Sequence, residues 1–300
     1  MISSVAGGPE LSPPAQSAAT AADQPAAGHN GAGHNGAMPA RYGPHRFGEG
    51  SYDEGGTDAY RGQRFLVADL TGARFTDCDL SGVKIVDSWL VGVDISGYVS
   101  GLVVNGVDVT EYVGAELDRR YPERVQLREM QTANDFRAMW DTIEQLWSAT
   151  TARARELPEA ALHDRVDEEW SFAETLRHLI FITDAWARRT VLDEPNPYHP
   201  IGLTQTAYPA AEAAALGIDV GANPSLDEVL AVRAGRMAVV RGILDGLTDA
   251  DLGRMCPRSP AAGYPEEERP VGECLSVVME EECEHHRFAT RDLAVLTESD

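Results

Sequence analysis

Two spacings of apolar residues divide this chain. From Phe65 it runs in steps of five, with Phe65, Leu70, Phe75, Leu80, Ile85, Leu90 and Ile95 in phase. A smaller residue stands two positions before each member from Leu70 onward: Ala68, Ala73, Cys78, Val83, Ser88 and Val93. A period of five fits neither a helix nor a strand, so it asks for a solenoid in which each repeat forms one side of a coil. The in-phase side chains are expected to stack inward, while Asp69, Asp77, Asp79, Asp87 and Asp94 face water or turns. Such a run makes roughly two coils, too few to stand alone, and is expected to lean on the neighbouring domain. Asn105-Gly106 reads as a turn, and Val109 to Pro122 as the lead into that domain.

From about Ala133 the spacing becomes three and four. Phe136, Met139, Trp140, Ile143, Leu146 and Trp147 predict a helix from Asp135 to Leu157, stopped by Pro158. A second is expected from Ser171 to Leu192. A third opens on Pro224-Ser225 and carries Leu226, Val229, Leu230, Met237, Val240 and Leu244 on one side, and a fourth runs from Gly272 to Leu296. Four such helices suffice for a bundle. The connection from Asp193 to Asn223 is longer than a bundle turn requires, which suits a lid or an ordered strap.

Composition adds limits. Residues 1 to about 55 are rich in Ala, Gly, Pro and Ser and are expected to be disordered, since they lack apolar surface to offset the entropy of ordering. GHNGA occurs there twice, with His29 and His34, and reads as low-complexity drift before it reads as a metal tract. The net charge of −23 disfavours nucleic acid as a partner. No run is long and apolar enough for a membrane, and no secretory signal opens the chain, so a cytoplasmic location is expected. Cys78, Cys256, Cys274 and Cys283 show no zinc-ribbon spacing and read as reduced, structural thiols.

Candidate chemistry lies in two segments. In the fourth helix Leu275, Met279, Glu282, His286, Ala289, Leu293 and Leu296 recur at intervals of four and three, a core seam whose two middle members are a carboxylate and an imidazole. In the second helix His178 shares a stripe with Thr175, Ile182 and Ala185, so it is expected to be buried. Isolated buried polar groups are costly, and a divalent metal held by His178, Glu282 and His286 would satisfy all three; zinc, nickel, iron or manganese suits that set. The alternative is a neutral histidine bonded to a paired or protonated glutamate. An offset register, Glu281 with His285, is possible, but the seam turns Glu281 towards solvent.

These segments carry two resemblances. The five-residue run resembles the pentapeptide-repeat family, implying a short right-handed square β-helix. Residues from about Gln131 to Leu296 resemble the DinB-like superfamily, which includes thiol-dependent S-transferases and mycothiol-dependent maleylpyruvate isomerases. Trp170, Ser171, Glu174, Leu176, His178 and Leu179 match its first metal-site segment, and His286-Arg287 aligns with the later histidine of its HxxxH pair, leaving Glu282 where the earlier one usually stands. The fold expected is therefore an α+β multidomain chain: tail 1–55, repeat β-helix 60–112, and a four-helix bundle over 130–298. The activity implied is transfer of a low-molecular-weight thiol to or from a small-molecule electrophile. His178, Glu282 and His286 would hold the metal, His285 would relay protons, and Arg287 and Arg291 would receive thiol carboxylates. A non-catalytic scaffold, a homodimer among its forms, and a metal-assisted hydrolase remain as alternatives.

Overall fold

The computed structural model describes residues 59–298 apart from Asp77, Ala207 and Pro265, so the expected tail and its histidines lie outside the described residues. Four helices pack around a common core: α3 (Ala133–Ala154), α4 (Phe172–Ile182), α6 (Leu226–Gly246) and α7 (Val271–Glu298). Each of α3 and α4 lies against both α6 and α7. Three of the four starts are written in the sequence as capping boxes. Thr132 with Asp135 opens α3, Ser171 with Glu174 opens α4, and Ser225 with Glu228 opens α6; in each the side chains satisfy helix-end N–H groups reciprocally. The core holds the expected Phe136, Met139, Trp140, Ile143 and Trp147, with Leu176, Ile180, Leu244, Leu275, Met279 and Leu293.

The second helix changes character midway. It reaches Val191 as foreseen, but Thr183–Val191 is wound as a π-helix, a form usually confined to single turns and frequent at functional sites. Within it Asp184 is fully buried and accepts hydrogen bonds from Arg188, from both Nε and Nη2 of Arg236 on α6, and from the backbone N–H of His199. This ties the helix to the adjoining strap, residues 193–225, which carries the short α5 (Ala210–Ala215).

Shorter helices and two pairs of strands complete the order. A two-residue ladder, β1 (Val103–Val104) with β2 (Val107–Asp108), flanks the expected Asn105-Gly106 turn, and α1 (Thr110–Arg120) and α2 (Glu123–Glu129) follow. Helix α1 falls within the lead read from Val109 to Pro122, and α2 follows it; α2 packs on α3 and α7, and Arg124 pairs with Glu284 of α7 at 2.6 Å. A second ladder, β3 (Met255–Cys256) with β4 (Arg269–Pro270), delivers the chain to α7.

The repeat segment differs from the expectation. Its period survives as turns ten residues apart, where Ala73 N–H bonds Leu70 O and Val83 N–H bonds Leu80 O. Gly72 and Gly82 take the positive φ that such turns demand at their third position. Asp69 and Asp79 cap them, as turn-facing aspartates should. Yet no backbone hydrogen bond among the described residues 60–100 reaches beyond its own turn, and Leu70, Leu80 and Leu90 remain about half exposed, at 50%, 48% and 53%. The turns of the repeat are thus present, and no hydrogen bond between successive coils is formed among these described residues. The segment touches the helical domain at Arg74, which bonds Asp167 O and lies 3.7 Å from Glu168. Cys78 within it is exposed, whereas Cys256, Cys274 and Cys283 are buried as expected. No helix among the described residues is long and apolar enough to cross a membrane.

Candidate metal centre

The site is assembled where α4 and α7 meet beneath the strap. His178 lies two turns into α4, and its position derives from the Ser171 cap, which sets where the helix begins and hence which face each later residue takes. Its Nδ1–H donates to Leu203 O of the strap at 2.9 Å. With Nδ1–H so committed, a neutral His178 turns its Nε2 lone pair inward, as backbone carbonyls orient metal-ligating imidazoles.

The groups facing that lone pair are Glu281 and His285. Glu281 Oε2 lies 3.6 Å from His178 Nε2 and 3.1 Å from His285 Nε2. One ligand atom from each of the three lies within 4.8 Å of the others. The structure therefore brings together the offset register. Helix α7 has two buried stripes: the seam through Leu275, Met279 and Glu282, and a second through Val271, Cys274 and Val278 that continues to Glu281 and His285. Both stripes are apolar at their N-terminal ends, because α7 is sandwiched between α3 on one side and α4 with its π extension on the other. That second stripe was visible in the sequence as the same alternation of three and four; the reading stopped at the first seam.

The two residues expected beside His178 point into the opposite interface. Glu282 is 1% exposed and forms a two-pronged ion pair with Arg233 of α6, itself 3% exposed, at 3.0 and 2.5 Å. The Arg233 guanidinium also sits 4.8 Å from the centre of the Trp147 ring. His286 Nε2 meets Thr150 Oγ1 at 2.7 Å, with the ring edge-on to Trp147 at 5.2 Å. Burial, chiefly, holds the His286 pKa below its usual value. Neither contact is the histidine–glutamate bond that the sequence left open as the alternative: Arg233 takes Glu282, and Thr150 takes His286.

Electrostatics at the triad is one-sided. Burial lowers the pKa of His178, outweighing the interaction with the Glu281 carboxylate that raises it. Burial opposes ionisation of Glu281, but the hydrogen bonds of His178 and His285 prevail and hold its carboxyl well below the usual range. Between the Glu281 carboxylate and the facing imidazole nitrogens there must therefore lie a proton or a shared cation, since two bare electron-rich atoms at 3.6 Å repel. Two imidazole nitrogens and one carboxylate oxygen fit a divalent transition metal.

Aromatic groups wall the site. The Trp170 ring lies 4.6 Å from that of His178 and stacks at 5.8 Å on that of His285. Tyr264, between β3 and β4, accepts from Gln205 Nε2 at 2.9 Å. Burial, assisted by the negative charge of Glu281, raises its pKa well above the ordinary phenol value. Neither Tyr264 nor the Leu203 carbonyl was singled out from the sequence; the length of the strap was the signal available. Arg287 is engaged by Glu284 at 2.7 Å and covers Phe288, while Arg291 is held by Asp292 and Glu169, each at 2.6 Å. Both guanidinium groups expected to read a cofactor carboxylate are already paired.

Comparison with known families agrees with this architecture. Residues 142–289 match the model of the DinB superfamily, and residues 68–97 match pentapeptide repeats, in eight copies. No curated protein and no solved structure matches the chain.

Proposed function

We propose, for a chain whose residues 142–289 belong to the DinB superfamily, a metal-dependent enzyme that transfers a low-molecular-weight thiol, of the mycothiol type, to or from a small electrophile. The observation that carries this reading is the convergence of the His178, Glu281 and His285 ligand atoms within 4.8 Å, between α4 and α7 and beside the strap. His178 and His285 offer nitrogen and Glu281 offers oxygen to one divalent ion. When bound, such an ion supplies Lewis acidity, lowering the pKa of a thiol so that it is nucleophilic at neutral pH.

The rest of the work falls to the chain. Leu203 O holds the His178 ring through Nδ1–H, which leaves Nε2 as the nitrogen that ligates. The Trp170 ring shields both imidazoles from water on one side. Tyr264 already accepts from Gln205, which leaves its own proton to be donated to a substrate oxygen on which charge develops.

Elemental analysis of the purified protein, with His178→Ala and His285→Ala, tests the site, and a chelator-sensitive conjugation assay with a small thiol and an electrophile tests the reaction. Near-stoichiometric metal lost in both variants is expected. Wild-type protein that holds no metal and takes up none of zinc, nickel, iron or manganese refutes the site. Metal-loaded protein inert towards every thiol and electrophile pair refutes the transferase.

A further inference from the structure

A cleft of about 210 Å³ opens at the N-terminal end of α4, away from the proposed metal ligands. His163, Ser171, Ala173, Glu174 and Arg177 form one wall, and residues 220–224 of the strap form the other. Arg177 is 4% exposed. Its Nε donates to Ile201 O at 2.8 Å, and Nη2 to Asp219 O and Val220 O at 3.0 and 3.2 Å. All three acceptors are neutral carbonyls, and Nη1 has no hydrogen-bond partner among the described residues. The guanidinium thus lines the cleft with one donor nitrogen free of protein partners and no carboxylate at ion-pair distance, its charge offset only at longer range by Glu174 and Asp219.

The nearby carboxylates bond groups other than Arg177. Glu174 is held by both prongs of Arg165, at 2.9 and 2.6 Å, and by the Ser171 N–H. Asp219 Oδ1 accepts from the Gly221 N–H at 3.0 Å. On the helix side, the Ser171 hydroxyl takes the Glu174 N–H, while the Ala173 N–H in the first turn has no acceptor within the helix. An unused guanidinium donor and an unused helix-end N–H therefore border the same cavity.

We propose that this cleft binds the carboxylate of a small organic acid, with Arg177 Nη1 and the Ala173 N–H as its donors. The volume is below that of a typical ligand pocket, roughly 300–1,000 Å³, and suits a short acid or the end of a longer one. The residual charges of Glu174 and Asp219 favour a planar monoanion over a phosphate dianion, which would meet more repulsion from the same wall. The site does not depend on the metal reading: its donors are separate from the triad, although Arg177 grips the strap at Ile201 two residues before Leu203 supports His178.

Titration of the full chain with acetate and then propionate, at fixed pH and ionic strength against chloride, monitored by NMR at the Ala173 amide and Arg177 Nε, tests this. Saturable shifts are expected with both acids, with about tenfold weaker binding of inorganic phosphate. Arg177→Lys, which keeps the charge and loses the fork, is expected to weaken acetate about tenfold. Ala222→Leu fills the cleft without touching Arg177 and is expected to do the same; the dispersion of the amide spectrum checks its fold, and if it does not fold, Arg177→Lys decides alone. No saturation with acetate, phosphate binding as tight as acetate, or unchanged acetate binding in the folded variants overturns the proposal.

Discussion

Glu282 and Glu281 are adjacent, and removing each should have opposite consequences. Glu282→Ala leaves Arg233 buried without its carboxylate, both partners being nearly inaccessible and joined at 3.0 and 2.5 Å. Breaking one side of such a pair costs about 3–5 kcal/mol, because the remaining charge keeps its desolvation penalty and loses its compensation. Against a total stability of about 5–15 kcal/mol this is a large fraction. For a domain of this size it lowers Tm by roughly 6–20 °C. Metal content should be unchanged, since Glu282 lies across α7 from His178. Replacing both partners, Arg233→Met with Glu282→Leu, should recover most of the loss, because an apolar pair of similar volume carries no stranded charge. Urea unfolding gives the stability, and elemental analysis of the folded fraction gives the metal. A Glu282→Ala protein within about 1 kcal/mol of wild type but stripped of metal would refute the argument and restore Glu282 as a ligand.

The same geometry sets other expectations. Ser171→Ala removes the hydroxyl that accepts from the Glu174 N–H and should cost about 1 kcal/mol by urea unfolding, with metal retained; a loss under a few tenths would mean the cap does not set the helix start. Asp184→Asn should cost about 3–5 kcal/mol, since a fully buried carboxylate answering Arg188, Arg236 and the His199 N–H loses its charge. It should also speed proteolysis between residues 193 and 223, and equal cleavage rates would count against the anchoring role. Burial raises Tyr208 to about 12 and raises Tyr198 and Tyr264 as well. Unfolded tyrosines ionise near pH 10, so the folded form binds more protons above that pH. Stability is therefore kept below pH 10 and lost as pH rises towards 12, by up to about 3 kcal/mol for Tyr208. The phenolate absorbance of these three buried tyrosines should appear only with unfolding; titration of every tyrosine near pH 10 in folded protein would contradict it.

The four long helices and their starts were legible because each signal is local. Ser171 with Glu174 and Ser225 with Glu228 satisfy helix-end N–H groups by their own spacing, and the apolar stripes of α3 and α6 mark one inward face each. The burial of His178 was legible for the same reason. The repeat register was also local and persists as turns at Gly72 and Gly82, but closure of a coil depends on stacking between repeats, which a period alone does not guarantee.

By itself, then, the sequence determined which segments are helical, where they begin, and that imidazole and carboxylate groups lie buried on α4 and α7. Tertiary packing decided which of them meet. Helix α7 is buried on two sides, so apolar spacing marks two stripes and assigns partners to neither. The approach of α4 with the strap selected Glu281 and His285 for His178, while Arg233 from α6 and Thr150 from α3 claimed Glu282 and His286. A shift of one residue along a helix turns a side chain by about 100°, enough to move it from one interface to the other, and only the placement of neighbouring helices resolves that angle.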